Sequence, residues 1–67
     1  MKDKLKSIAS GDLFIVPESD YGKAEIWRMH DVYVVFEIPM YGGEPTYLRT
    51  YHHMDLDEMI EAIRDMI

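Results

Sequence analysis

The apolar residues of this chain change their spacing once, near Met54, and that change limits the folds open to it. Downstream, they recur at the i, i+3, i+4 and i+7 spacing of a helix with one apolar face. These residues are Leu56, Met59, Ile60, Ile63 and Ile67. Upstream, short runs of β-branched and aromatic residues are separated by turn residues, which predicts strands. The pattern predicts an α+β fold.

Four upstream runs are predicted to be strands: residues 13–16, 24–29, 32–38 and 46–51. Pro17 ends the first because proline cannot donate to the next position of the ladder. His30 and Asp31 form a two-residue hairpin turn, and a longer glycine-containing turn precedes the last strand. We therefore expect an antiparallel sheet of three to four strands, packed on one face by the C-terminal helix.

Capping residues suggest where two helices begin and end. Asp55 is expected to be the N-cap of the C-terminal helix, with Glu58 completing a capping box. Near the amino terminus, Met1, Leu5 and Ile8 share one helical face, and Gly11 stands where a left-handed cap would fall. This N-terminal helix is shorter than the ~12 residues at which isolated helices become marginal. We expect it to form only if it docks.

The chain has 67 residues and no cysteine, so we expect a single domain, residues 1–67, stabilised by packing or by association. Its composition, 48% hydrophobic and 30% charged, is typical of a folded protein. No segment approaches the ~20 apolar residues of a membrane span, so we expect a cytoplasmic protein with no membrane partner. The net charge of −6 disfavours direct binding of nucleic acid, which depends on basic side chains.

Pairing across the turns divides the strand residues between two faces. The hairpin sets Trp27 opposite Val34, and a second turn centred near Gly43 sets Val35 opposite Tyr51. We expect the more apolar face to be the core under the C-terminal helix: Trp27, Met29, Val32, Val34, Phe36, Ile38, Leu48 and Thr50. The other face then holds Ile26, Arg28, Tyr33, Val35, Glu37, Tyr47, Arg49 and Tyr51.

The second face is a candidate docking surface, because one helix covers only one side of a sheet. Tyr and Arg are typical contact residues, so Tyr33, Tyr47, Arg49 and Tyr51 are predicted to bind a partner. Two alternatives stay open. Either the N-terminal helix covers this face, or it is a solvated face with cross-strand pairs. A register slip of one residue would exchange the two faces.

The exterior of the C-terminal helix is a second candidate surface. It carries four carboxylates, those of Asp57, Glu58, Glu61 and Asp65. Such an array could occupy a basic groove in place of phosphates, and complementary charge would speed the association. The alternative is an ordinary solvated helix face.

Catalytic and metal-binding chemistry is sparse. His52, His53 and Asp55 form the only cluster of ligand-type side chains, and a zinc site would need further ligands. The sequence has no nucleophile elbow, phosphate loop or dinucleotide glycine pattern. We expect no enzyme activity, no cofactor and no metal. A metal-dependent hydrolase that uses these three residues is the least favoured alternative.

The three strands and helix between Ala24 and Ile67 resemble the βββα plan of arm-type DNA-binding domains of integrases, with residues 55–58 at the helix start. The basic sheet face of those domains is missing. In size, acidity and plan the chain looks more like small phage-encoded inhibitors, such as anti-CRISPR proteins and other DNA mimics. The resemblance implies a non-enzymatic inhibitor or adaptor that binds a basic, nucleic-acid-handling protein. The alternative is a homodimeric accessory module that buries Tyr33, Tyr47 and Tyr51 against its own copy.

Overall fold

The computed structural model describes residues 2–17 and 22–64. Its elements are α1 (Lys2–Ser7), β1 (Leu13–Val16), β2 (Ala24–Met29), β3 (Val32–Glu37), β4 (Thr46–His52), a 3₁₀ turn (His53–Asp55) and α2 (Leu56–Ile63). The strands form one antiparallel sheet in the order β1-β2-β3-β4. The predicted α+β class, with a C-terminal helix and a short N-terminal helix, is confirmed.

The β2–β3 hairpin has the predicted turn and register, with Trp27 opposite Val34. His30, at the first turn position, has a positive φ of 52°. In tight hairpins, a turn position with this conformation is usually occupied by glycine or asparagine. The His30 backbone N–H donates to Ser10 Oγ at 3.0 Å, so the segment before β1 helps to hold the turn.

The register of β3 against β4 differs from the predicted one by two residues. Val35 pairs with Arg49 rather than with Tyr51, because the turn before β4 is centred earlier in the chain than predicted. Between Val35 and Phe36 the pairing shifts by one more residue, because Leu48 of β4 is the extra residue of a β-bulge, so that Phe36 lies opposite Tyr47. A bulge adds one residue to one strand. It places Tyr47 on the opposite face from Arg49 and Tyr51.

Both helices pack on the same face of the sheet, and it is not the predicted face. The buried core consists of Phe14, Val16, Ala24, Ile26, Tyr33, Val35 and Tyr51 from the sheet, with Leu5, Leu56, Met59 and Ile63 from the helices. The predicted core assignment is therefore wrong. None of its members is fully buried: Trp27, Met29, Val32, Val34, Phe36, Ile38, Leu48 and Thr50.

Helix α2 uses the predicted apolar stripe. Leu56, Met59 and Ile63 are buried, and Ile60 packs at the edge of the core. Ile67 lies outside the described residues. Asp55 occupies the N-cap position but makes no side-chain cap hydrogen bond, so the predicted capping box is wrong. The preceding 3₁₀ turn is capped instead, by the Nδ1 atom of the histidine that ends β4.

Helix α1 is docked, as its shortness requires. Leu5 is fully buried, and its carbonyl oxygen accepts a hydrogen bond from the Tyr33 hydroxyl at 3.1 Å. Gly11 has the expected positive φ, 92°, but it stands in the turn before β1 and does not cap α1. Its N–H donates to the Arg28 carbonyl at 2.6 Å, which ties this turn to β2.

Candidate functional site

The face of the sheet turned away from the helices is covered by neither helix, although the turns at Gly11 and Gly22 lie against parts of it. Successive strand side chains point to opposite sides, so its members alternate with the buried core residues. We call this surface the open sheet face. Its members are Leu13, Ile15, Glu25, Trp27, Met29, Val32, Val34, Phe36, Tyr47, Thr50 and His52.

A groove of about 550 Å³ lies on the open sheet face. It is lined by Gly11 and by the side chains of Trp27, Met29, Val34 and Phe36. Its side-chain walls are entirely apolar, and its volume falls within the ~300–1,000 Å³ of small-molecule pockets. The groove is shallow and open to solvent along the sheet, so it suits a protruding side chain better than an enclosed substrate.

Two large side chains, one in the groove and one beyond it, are exposed on this face. Met29 is 46% exposed and Tyr47 is 56% exposed. The Tyr47 ring meets Phe36 edge-on, with 6.0 Å between ring centroids, and its hydroxyl lies 2.9 Å from Thr50 Oγ1. These contacts hold the Tyr47 ring against the sheet. Contiguous exposed apolar surface of this kind marks interaction sites in small proteins.

The open sheet face is almost free of charge, although the chain has a net charge of −6. Among its members, Glu25 is the only Asp, Glu, Lys or Arg. The other charged residues of the described strands, Arg28, Glu37 and Arg49, alternate onto the helix-covered side. Depletion of charge together with Trp, Met, Phe and Tyr is the composition of an interface centre. This face is therefore the best candidate site of the described chain.

The predicted tyrosine surface is not formed. Tyr33 is 1% exposed and Tyr51 is 7% exposed, so the prediction that both lie on an open face is wrong. The alternative that the N-terminal helix covers this face is confirmed by the burial of Leu5 against it. Arg49 is exposed, with its guanidinium 4.9 Å from the centroid of the Tyr51 ring. Of the three tyrosines, only Tyr47 reaches the open sheet face.

The acidic exterior of α2 is exposed, as predicted, but on-chain cations neutralise part of it. Asp57 Oδ1 lies 2.6 Å from Lys2 Nζ. The pKa of Asp57 lies below its ordinary value of 3.8. The main causes are the hydrogen bond from Lys2 and the positive charge of Lys2, and the charge of Lys6 has a smaller effect. Glu61 Oε2 lies 3.0 Å from Arg64 Nη2, one helical turn away.

The other two members of the predicted acidic array are Glu58 and Asp65. Glu58 is exposed and forms no salt bridge within the described residues, and Asp65 lies outside them. Asp57, Glu58 and Glu61 contribute three negative charges, and Lys2 and Arg64 return two positive ones, which leaves a net charge of −1. Among the described residues, this surface therefore carries less negative charge than its carboxylates alone would give, and phosphate mimicry depends on that charge.

The histidine pair forms a ring contact. β4 ends at His52, so the His52 and His53 rings do not diverge, and their centroids lie 4.4 Å apart. His52 Nδ1 accepts from the Met54 N–H at 3.2 Å, and His53 Nδ1 lies 3.2 Å from the Asp31 carbonyl oxygen. Across residues 2–17 and 22–64, no group of three or more His, Cys, Asp or Glu side chains could hold a metal ion.

The side chains that line the groove are residues that the sequence predicts to be in the core. Trp27 and Phe36 are among the bulkiest apolar residues of β2 and β3, and bulk alone does not distinguish a core from an interface. Ala24 was the informative signal. Ala24 lies on the same face of β2 as Ile26, and a small residue there allows a helix to approach the sheet closely. Ala24 is fully buried.

Comparison of the chain with protein-family models, curated proteins and solved structures finds no match. In the part of the chain that the structure describes, no helix is both long enough and apolar enough to cross a bilayer.

Proposed function

We propose that this chain is a non-enzymatic protein-binding module that docks through the open sheet face. The observation that carries the proposal is the apolar groove of Trp27, Met29, Val34 and Phe36, which no described segment of the chain covers. Burying apolar surface contributes about 25 cal/mol per Å². Trp is among the residue types that most often anchor protein interfaces.

The proposed partner is a basic protein whose contact surface has an apolar centre. A net charge of −6 would attract such a partner over a distance and speed its association. A contact face with one carboxylate, that of Glu25, avoids burying unpaired charges when the complex forms. A nucleic-acid-handling protein fits this description. The narrower proposal, a cytoplasmic inhibitor or adaptor of phage or bacterial type, rests on this charge and on the resemblance of plan and acidity.

The size of the open sheet face sets the expected strength of binding. Four strands of about six residues cover roughly 20 by 20 Å, or ~400 Å² in projection. A standard interface buries ~800 Å² per partner. Met40 and Tyr41, almost fully exposed in the loop that joins β3 to β4, would extend the contact. We expect a dissociation constant on the order of micromolar.

A second copy of the chain is the alternative occupant of the open sheet face. Two copies would each carry a charge of −6, and their repulsion is screened only beyond a Debye length of ~8 Å at physiological ionic strength. A basic protein of a different kind would instead be attracted by the same negative charge. The homodimer expected from Tyr33, Tyr47 and Tyr51 would need two residues that lie in the core.

A matched pair of lysine substitutions tests the proposal. Met29→Lys places a charge on the open sheet face, and Met54→Lys places the same charge on an exposed methionine outside that face. Each variant, and the wild type, is immobilised and exposed to lysate of the native cell. A true partner binds the wild type and Met54→Lys and is lost from Met29→Lys. Equal retention by both variants would contradict the proposal.

Binding of the purified partner is then followed by the fluorescence of Trp27, the only tryptophan of the chain, which lines the groove. Docking on this face should shift its fluorescence to shorter wavelength and saturate with partner concentration, and binding should weaken as salt is added. An unchanged Trp27 emission at saturation would locate the contact elsewhere. If sedimentation shows dimers at tens of micromolar and the emission shifts without partner, the second copy is the occupant.

A further inference from the structure

A second cavity lies on the helix side of the sheet, where α1 and the 3₁₀ turn meet the end of β2. Its volume is about 390 Å³. The polar groups around it belong to Lys2, Lys6, Arg28, Tyr33, His53 and Asp57. We call it the cationic pocket, because cations outnumber carboxylates there in a chain whose acidic residues outnumber its basic ones by 13 to 7.

The charge of the cationic pocket is opposite in sign to that of the whole chain. Lys2, Lys6 and Arg28 carry three positive charges, and Asp57 carries one negative charge. With His53 neutral, the net charge of the lining groups is +2. Cations gathered at one cavity of an acidic protein produce a local potential that attracts anions.

Arg28 is held in place before any ligand arrives. Its Nε donates to the His30 carbonyl at 2.7 Å, and its Nη1 donates to the Tyr33 hydroxyl at 2.9 Å. The guanidinium carbon lies 4.9 Å from the centroid of the Tyr33 ring. A guanidinium has five N–H donors, so three remain for an anion. Because the side chain is already ordered, binding costs less conformational entropy than it would at a free arginine.

Asp57 is the internal competitor of an incoming anion. Its carboxylate lies 2.6 Å from Lys2 Nζ, and the charge of Lys6 also acts on it. The contact shows that the Lys2 ammonium lies where it can bind an oxyanion at the edge of this pocket. The remaining two charges match the charge of a phosphate monoester, which is between −1.5 and −2 at neutral pH.

We propose that the cationic pocket binds a small-molecule phosphate monoester, with Lys6 and the free donors of Arg28 contacting the phosphate oxygens. Arginine and lysine are the usual phosphate ligands of proteins, and arginine adds geometric specificity through its planar fork. The volume of about 390 Å³ is near the lower end of ligand pockets, which favours a small ester. This site is independent of the open sheet face, which lies on the other side of the sheet.

Glycerol 3-phosphate is the probe. Its two parts, glycerol and inorganic phosphate, are tested separately. Binding to the full chain is measured by calorimetry at constant ionic strength, and backbone NMR shifts locate it. We expect saturable binding of glycerol 3-phosphate and of phosphate, none of glycerol, and the largest shifts near Arg28 and His53. If binding of glycerol 3-phosphate does not saturate by a concentration of about 10 mM, the proposal is overturned.

Three single substitutions separate a built site from general charge attraction. Lys6→Gln should weaken binding at least about fivefold, since it removes one charged contact. Lys23→Gln makes the same charge change away from the pocket and should alter affinity less than twofold. Asp57→Asn removes the competitor and should tighten binding severalfold. Equal weakening by Lys6→Gln and Lys23→Gln, or weaker binding by Asp57→Asn with the fold intact, would overturn the proposal.

Discussion

Removing the hydroxyl of Tyr33 should destabilise the fold far more than removing that of Tyr47. Both Tyr→Phe substitutions delete one oxygen atom from a strand residue and keep the ring. The Tyr33 hydroxyl is buried, accepts a hydrogen bond from Arg28 at 2.9 Å and donates one to the Leu5 carbonyl at 3.1 Å. The Tyr47 hydroxyl is exposed and has one partner, Thr50 Oγ1 at 2.9 Å.

The expected magnitude follows from these partners. A hydrogen bond between neutral groups contributes about 1 kcal/mol, and one that involves a charged group about 1.5–3 kcal/mol. Arg28 is only half-buried and can be rehydrated, so the low end applies to its bond. We expect Tyr33→Phe to lower the free energy of unfolding by about 2–3 kcal/mol. Tyr47→Phe should change it by less than about 0.5 kcal/mol, as surface substitutions usually do.

Urea unfolding followed by circular dichroism measures the difference. A domain of this size has a stability of roughly 3–10 kcal/mol. With a slope near 1 kcal/mol per molar urea, the midpoint for Tyr33→Phe should fall by about 2–3 M, or the variant should be unfolded at the outset. Equal effects of the two substitutions, or a larger effect of Tyr47→Phe, would mean that the helices cover the other face. The open sheet face would then not exist.

Two further predictions concern the surface and the hairpin. Lys2→Gln should raise the pKa of Asp57 back toward 3.8, measured by NMR titration of its carboxyl carbon, while Lys23→Gln leaves it in place. Because the pKa of Asp57 is lower in the folded state, the stabilisation from this pair is complete above about pH 4 and is lost as the pH falls through the lowered value. His30→Gly should stabilise the fold by about 0.5–1 kcal/mol, since a non-glycine residue at positive φ is strained. Asp31→Gly, where φ is not positive, should destabilise it in the same thermal-unfolding assay, and a gain there would contradict the reasoning.

The secondary structure could be predicted from the sequence because each element has a local signal. Pro17 ends β1 at Val16, and the His30 turn fixes the β2–β3 register. The apolar stripe of α2 depends only on the helical period. These signals arise from residues close together in the sequence, so they do not depend on the tertiary structure.

The choice of the buried face could not be made in the same way. β3 carries Val32, Val34 and Phe36 on one side and Tyr33 and Val35 on the other, so both sides are apolar. The outcome depends on which side the helices reach, and a tyrosine satisfied by hydrogen bonds is a good core residue. The β-bulge, which moves Tyr47 across the sheet, has no clear signal in single-sequence patterns. The sequence therefore predicts the candidate site on the wrong side of the sheet.

Within the described residues, helix α1 is joined to α2 by the salt bridge between Lys2 and Asp57, and its main anchor is the buried side chain of Leu5, whose carbonyl accepts a hydrogen bond from the sheet. Six helical residues do not persist in water without such an anchor, so release of Leu5 would unwind the whole segment at once. The strands could keep their ladders during this event, which makes it a local opening rather than global unfolding. Amide hydrogens of α1 would then exchange with deuterium before those of β2 and β3, and a tag fused ahead of Lys2 would disturb this segment first.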